Sequence, residues 1–177
     1  MAGELDAACR ALTDGGLVAY PTEAVYGLGC DPANPAAVAR LLALKGRPEG
    51  KGLILIAERL AALEPWLAPI DELTRARIGP TWPGPVTWLL PAAEGVARAV
   101  RGDHDTLAVR VTAHPVAAAL CAAWGGPLVS TSANRAGGEP ARDAESVAAL
   151  FGDAVDVIVG EVGGLEEADP DPLRPHR

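Results

Sequence analysis

Short apolar runs of strand length recur along this chain, and each gives way to a helical stretch or to a loop bent by Gly and Pro. Leu17–Tyr20, Leu53–Ala57, Val86–Leu90, Leu107–Val111, Leu128–Ser130 and Val155–Val159 are such runs. Runs this short, bounded by turn residues, read as buried strands. Between them, Glu4–Thr13 puts Leu5, Ala8, Cys9 and Leu12 on one helical face, and Asp14-Gly15-Gly16 ends the helix. Asn34 caps a helix that opens with Pro35 and runs to about Leu44. A helical stretch over 58–79 is interrupted near Pro65 and Pro69, His114-Pro115 opens a helix to about Trp124, and Asp143 caps one to Phe151. Residues 21–29, 45–52 and 93–105 read as loops. Strands and helices alternate, but not cleanly, which predicts an α/β fold: a twisted open sheet with mixed parallel and antiparallel strands.

The 177 residues suit one domain with a core of its own, expected over 1–164. Residues 165–177 are acidic, then proline-rich, and are expected to be a poorly ordered tail. Every long apolar stretch is interrupted by Pro, Gly or charge, so no membrane span is expected. The first residues carry Glu4 and Asp6 in place of a basic segment, which argues against a secretory signal. Cys9, Cys30 and Cys121 are widely spaced and form no metal-ligand pattern with His104, His114 and His176, so no metal site is expected. Sparse thiols fit a cytoplasmic location. The net charge of −8 argues against avid, non-specific RNA binding, which needs many phosphate contacts.

Arginine and alanine dominate, so the rare residue types inform by position. The only two lysines, Lys45 and Lys51, lie in one loop, Lys45-Gly46-Arg47-Pro48-Glu49-Gly50-Lys51. A Gly- and Pro-bent loop can aim several cations and backbone N–H groups at one anion with many oxygens, such as a triphosphate. It lacks the Walker A order. A solvated charged loop is the alternative; the acidic background and the confinement of both lysines favour anion binding. Ser130-Thr131-Ser132-Ala133-Asn134 follows an apolar run and holds two of the three serines. At the carboxyl end of a strand its hydroxyls and amide could meet phosphate or carboxylate oxygens, or simply bond their own backbone. With no His near it in sequence, a serine nucleophile has little support. Both tyrosines, Tyr20 and Tyr26, flank Pro21-Thr22-Glu23. There Thr and Tyr hydroxyls could fix a small polar substrate, and Gly27 and Gly29 allow close backbone approach. A tight structural loop is the equal alternative. Arg110 alternates with Val109 and Val111, so it faces away from them, either to solvent or into a cleft where its planar fork suits a carboxylate.

In this order the pieces closely resemble the YrdC family, in its short, TsaC-like bacterial branch. The matching stretches are Pro21–Pro32, Lys45–Ala57, Trp82–Thr87, Thr106–Val111, His114-Pro115 and Pro127–Asn134. The resemblance implies an open α/β sheet around a concave, positive cleft, and a nucleotidyltransferase that makes threonylcarbamoyl-AMP and pyrophosphate. Its substrates would be L-threonine, bicarbonate or CO2, and ATP with Mg²⁺. A transferase complex of the TsaD, TsaB and TsaE type would then modify tRNA, with at most a weak, transient tRNA contact by this chain. By motif, Lys45, Arg47 and Lys51 would hold the ATP phosphates and carry catalysis, with Thr106, Ser130 and Asn134 also on ATP. Thr22, Tyr26, Arg110 and Ser132 would hold threonine. Cations and neutral donors suit a reaction that aligns two anions, and extra carboxylates in the cleft would oppose it. One departure stands out: Gly163-Gly164 is followed by Leu165-Glu166-Glu167 where the family carries a serine-bearing segment, and Arg174 is the one candidate to replace a phosphate contact there. That departure favours the second expectation, a non-catalytic YrdC-type module that holds a nucleotide or RNA. A carbamoyl-adenylate role in hydrogenase maturation ranks below both, because this chain lacks the accompanying zinc-finger and acylphosphatase-like segments.

Overall fold

A computed structural model describes residues 2–160. The expected acidic tail, with Gly163-Gly164 and Arg174, lies outside them. Seven strands form one sheet in the order β4-β5-β3-β6-β2-β1-β7. They are β1 (Val18–Pro21), β2 (Tyr26–Gly29), β3 (Ile54–Ala57), β4 (Trp88–Pro91), β5 (Thr106–Val111), β6 (Leu128–Ser132) and β7 (Val157–Ile158). The β3–β5 and β1–β7 pairs are parallel, and β1–β2, β2–β6, β3–β6 and β4–β5 are antiparallel. The mixed open sheet expected from the sequence is therefore the observed one.

The helices are α1 (Ala2–Thr13), α2 (Pro35–Lys45), α3 (Leu60–Leu63), α4 (Glu72–Ile78), α5 (Arg98–Arg101), α6 (Pro115–Trp124) and α7 (Ala144–Phe151). Paired residues of adjacent strands share a face. On one face Leu55, Val109 and Val129 pack with Leu41 of α2, Leu63 of α3, Ile78 of α4, Val100 of α5 and Phe151 of α7. On the other, Val18, Tyr20, Ile56 and Leu128 pack against Leu12 of α1 and Leu120 of α6. Each leucine buried in these layers contributes roughly 1.5–3 kcal/mol. The two helices α1 and α6 do not reach across the second face. Beyond them it carries Ser130, Ile54, Ala108 and Arg110, and ends at Leu89, which is 67% exposed. Among the described residues no helix is long and apolar enough to cross a membrane.

Several boundaries differ from the sequence expectation for local reasons. Residues 26–29, expected as loop, are β2, and Gly27 and Gly29 are what let it form. A Cβ on Gly29 would stand 2.8 Å from the Tyr20 ring packed across it. β6 continues to Ser132, so Ser130-Thr131-Ser132 is strand and not loop. β4 begins at Trp88 because the Trp82 indole N–H donates to the Val86 carbonyl (2.7 Å), which keeps 82–86 as a turn. A single helical turn, α5, occupies part of 93–105, and the last strand shrinks to Val157–Ile158.

α2 sets up the cationic loop. Asn34 Oδ1 accepts from Ala36 N and Ala37 N at 3.1 and 3.2 Å, a cap worth about 0.5–2 kcal/mol. At the other end Gly46 takes a left-handed φ of 61°, and Gly46 N and Arg47 N bond back to the Ala43 and Leu42 carbonyls. Leu41 and Lys45, one turn apart, therefore both point inward. The loop is then braced from the α5 side. Asp103 N donates to Gly50 O (2.9 Å), Leu53 N to Val100 O (2.8 Å), and Arg98 pairs with both Asp103 and Glu49. Gly102 is where the two backbones meet: its φ is +73°, and a Cβ there would lie 2.5 Å from Gly52 N. Gly102→Ala is expected to destabilise the fold by about 1–3 kcal/mol, read as a lowered urea midpoint. An unchanged midpoint would contradict this packing.

Candidate functional site

The turn after β1 is closed by one carbonyl. Thr22 N and Thr22 Oγ1 both donate to Val25 O, at 3.2 and 2.6 Å. The next residue, Glu23, reaches the corner between β5 and α6. Its Oε1 accepts from Thr112 Oγ1 (2.5 Å), Ala113 N (2.8 Å) and His114 N (3.2 Å). Its other oxygen, Oε2, faces Arg110 Nη2 at 3.9 Å. Both side chains are largely buried, at 18% and 16% exposure, and among the described residues Glu23 Oε2 and Arg110 Nε have no hydrogen-bond partner. Burial alone would raise the Glu23 pKa, but the Thr112 hydroxyl, backbone N–H groups and Arg110 outweigh it and hold the carboxyl below its ordinary 4.5. His114 is shifted the other way. Burial lowers its pKa against the pull of Glu23, and its Nδ1 accepts from Val116 N as the cap of α6.

A cavity of about 290 Å³ lies beside this pair. Its walls include Thr22, Tyr26, Arg47, Arg110, Ser130 and Ser132, six of the residues singled out from sequence. Its size suits a small polar molecule more than a whole nucleotide. Gly27 also lines it and leaves little to spare: a Cβ there would meet the Tyr20 ring, Ser130 Oγ and Thr22 Cγ2 at 3.2–3.3 Å. Tyr20 is a structural partner here, fully buried with its hydroxyl donating to Val129 O. A larger groove of about 1180 Å³ between α2 and residues 94–100 shares Arg47. Its other walls are chiefly apolar, such as Val38, Leu42, Trp66 and Val96, and it lacks the polar groups that converge on the smaller cavity.

The remaining candidates take three positions. Lys45 and Asn134 sit behind Ser132: Lys45 Nζ donates to Ser132 O, Asn134 O and Asn134 Oδ1 at 2.7, 2.9 and 2.7 Å. Burial, with help from Arg47, lowers the Lys45 pKa. Lys51 is exposed on the 3₁₀ turn Glu49–Lys51 that precedes β3, and Thr106 is the first residue of β5. These two lie at the leading end of the parallel β3–β5 pair, outside the cavity walls. Arg47 joins the groups, since it lines the cavity while its Nε donates to Gly52 O (3.0 Å) within the loop.

Glu23 is the residue that sequence reasoning passed over, because carboxylates were expected to oppose the chemistry. The structure puts one beside Arg110 and holds it with three donors. Its signal was its place between Thr22 and the second tyrosine. Among the described residues no group of three or more His, Cys, Asp or Glu side chains could hold a metal ion.

The family model Sua5_yciO_yrdC, described as telomere recombination, matches residues 10–171. A threonylcarbamoyl-AMP synthase of Halorhodospira halophila is 58% identical over 171 residues, 96% of this chain and 88% of the relative. One of Chromohalobacter salexigens is 56% identical over 167 residues, 94% of this chain and 89% of the relative. Among solved structures, P. abyssi Sua5 complexed with L-threonine superposes with a TM-score of 0.81 at 36% identity. That match covers 87% of this chain but spans only 45% of the Sua5 chain.

The Glu23 environment has a pH signature. With the folded pKa below the unfolded one, the unfolded chain takes up the proton first as pH falls. The stabilisation is thus complete above about pH 4.5 and is lost as pH falls through the folded value. Glu23→Gln, which keeps an acceptor for Thr112, is expected to flatten the acid limb of stability measured by urea unfolding between about pH 3 and pH 7. A curve parallel to the wild type would contradict the assignment.

Proposed function

The chain belongs to the Sua5_yciO_yrdC family, and from that premise we propose that it makes threonylcarbamoyl-AMP, releasing pyrophosphate, from L-threonine, bicarbonate-derived CO2 and ATP. The observation that carries the reading is that Arg110, from β5, and Arg47, from the cationic loop, line one small cavity. One cation suits the carboxylate of an amino acid, and the other stands where that pocket meets a loop suited to a triphosphate. The Sua5 relative bound to L-threonine supports threonine as the amino acid.

The reaction asks for alignment more than for a nucleophile on the protein. The threonine amine attacks the carbon of CO2 and loses a proton, giving a carbamate. A carbamate oxygen then attacks the α-phosphorus, the bond from that phosphorus to the bridging oxygen breaks, and pyrophosphate leaves with the electron pair. Two anions must be brought together, at a Coulomb cost that fixed cations offset in a partly dry site. In this reading Arg110, Thr22, Ser132 and Tyr26 hold threonine, and Arg47 and Lys51 hold the phosphates. Thr106, Ser130 and Asn134 lie along the nucleotide's path. Lys45 adds its charge from behind Ser132. Mg²⁺ arrives with ATP as part of the substrate. The product would pass to a TsaD/TsaB/TsaE-type transferase for tRNA modification, with a weak tRNA contact at most, and the unpaired thiols of Cys9, Cys30 and Cys121 fit a reducing cytoplasm.

Pyrophosphate release by purified protein with ATP, Mg²⁺ and bicarbonate is expected to require L-threonine. Arg110→Ala should raise the KM for threonine at least tenfold, and Lys51→Ala should do the same for ATP, each a loss of about 1.4 kcal/mol or more. Threonine-independent release, or none from folded protein that still binds ATP, would overturn the synthase reading and favour a non-catalytic nucleotide-binding module.

A further inference from the structure

We infer that Lys45 is a positioning residue of the amino-acid subsite: it fixes Asn134 so that Ser132 presents only lone pairs to the cavity, and the substrate must supply a hydrogen-bond donor there. The inference rests on the cavity being the threonine site. It goes beyond that in assigning the direction of each hydroxyl and in separating Lys45 from the phosphate ligands.

An ammonium has three N–H donors and no acceptor. Those of Lys45 meet Ser132 O, Asn134 O and Asn134 Oδ1 within 2.9 Å, and the residue is 8% exposed. A phosphate oxygen could claim one of these donors only by breaking an existing bond. The two carbonyl bonds clamp the end of β6. The third bond fixes the sense of the Asn134 amide, because a group that can only donate must face its oxygen. The opposite side agrees, since Asn134 Nδ2 donates to Arg135 O (2.9 Å). Ser132 Oγ lies 2.6 Å from that same Oδ1. A serine hydroxyl has one hydrogen, and here it must point at Asn134. What remains of Ser132 towards the cavity is acceptor only.

Thr22 reaches the same state independently, because its one hydroxyl hydrogen goes to Val25 O. Two wall hydroxyls, one from the β1–β2 turn and one from β6, thus accept, while Arg110 and Arg47 donate. A molecule with donors at one end and a carboxylate at the other fits this division, as an amino acid with a free ammonium and hydroxyl does. A ligand of acceptors alone, such as a dicarboxylate, would leave lone pairs facing lone pairs. A ligand that cannot donate leaves these hydroxyl oxygens without a partner inside the cavity, which disfavours it relative to one that can.

The test is calorimetric titration of L-threonine, and separately of a non-hydrolysable ATP analogue with Mg²⁺, into wild type, Lys45→Met, Ser132→Ala, the Lys45→Met/Ser132→Ala double variant, Asn134→Asp and Asn134→Leu. Lys45→Met should weaken threonine about tenfold or more and leave the ATP analogue within about threefold. The double variant should bind threonine no worse than Ser132→Ala within about twofold, since Lys45 acts through Ser132. Asn134→Asp keeps an oxygen for both Lys45 and Ser132 and should hold threonine within about threefold of wild type, while Asn134→Leu should not. A tenfold loss confined to the ATP analogue in Lys45→Met, or additive losses in the double variant, would overturn the inference and make Lys45 a phosphate ligand. Should Lys45→Met not fold, equal losses in the two Asn134 variants would overturn it as well. Wild type that binds the ATP analogue but no threonine would overturn the proposed function itself, which separates the two failures.

Discussion

A seven-stranded sheet has two faces to cover, and this chain distributes its helices unequally between them. Among the described residues, five helices close one face, and only α1 and α6 lie on the other. The strands on the less covered face must therefore change character along their length. Where α1 and α6 lie, β1, β3 and β6 carry Val18, Tyr20, Ile56 and Leu128; further along, β3 and β6 carry Ile54, Ser130 and Ser132, and β5 brings Arg110 alongside. Among the described residues, the site lies on the part of the sheet that these two helices leave open, on β2, β3, β5 and β6, each of which is paired with a strand on either side. That is why its polar groups sit on rigid strands and gain precision from them.

The electrostatic design follows from the same geometry. A chain of net charge −8 has no general attraction for a triphosphate. Its cations are instead local and individually tethered: Arg47 to Gly52 O, Arg110 opposite Glu23, and Lys45 under Ser132 and Asn134. Glu23 resolves an apparent conflict. It brings a negative charge to a site meant for anions, yet three donors already engage one of its oxygens and the other faces Arg110. Held that way it steadies the guanidinium and the Thr22 turn at once, and it need not touch a ligand.

Much of this was legible in the residues. The capped helix at Asn34 and Pro35, the proline-interrupted stretch over 58–79 and the alternation that turns Arg110 away from Val109 and Val111 follow from local rules, and the structure agrees with each. The clustering of rare tyrosines and serines pointed to the β1–β2 and β6 stretches that line the cavity, and the two lysines bracket Arg47, which lines it as well. What escaped depended on distant partners. β2 reads as a glycine loop until the Tyr20 ring is placed across it. The Ser-Thr-Ser stretch reads as a loop until β2 and β3 pair with it on both sides. The difference between Lys45 and Lys51 cannot be seen in a seven-residue window. It appears only when the left-handed Gly46 ends α2 just past Lys45, leaving Lys45 inside and Lys51 out in solvent.

The central claim is that one cavity holds threonine while a neighbouring cationic loop holds ATP, so that a carbamate of threonine is captured on the α-phosphate. The most direct measurement is mass spectrometry of the nucleotide product formed from ATP, L-threonine and ¹³C-labelled bicarbonate. The account predicts an adenylate that carries both threonine and the labelled carbon. Unlabelled AMP or ADP as the only nucleotide product would contradict it.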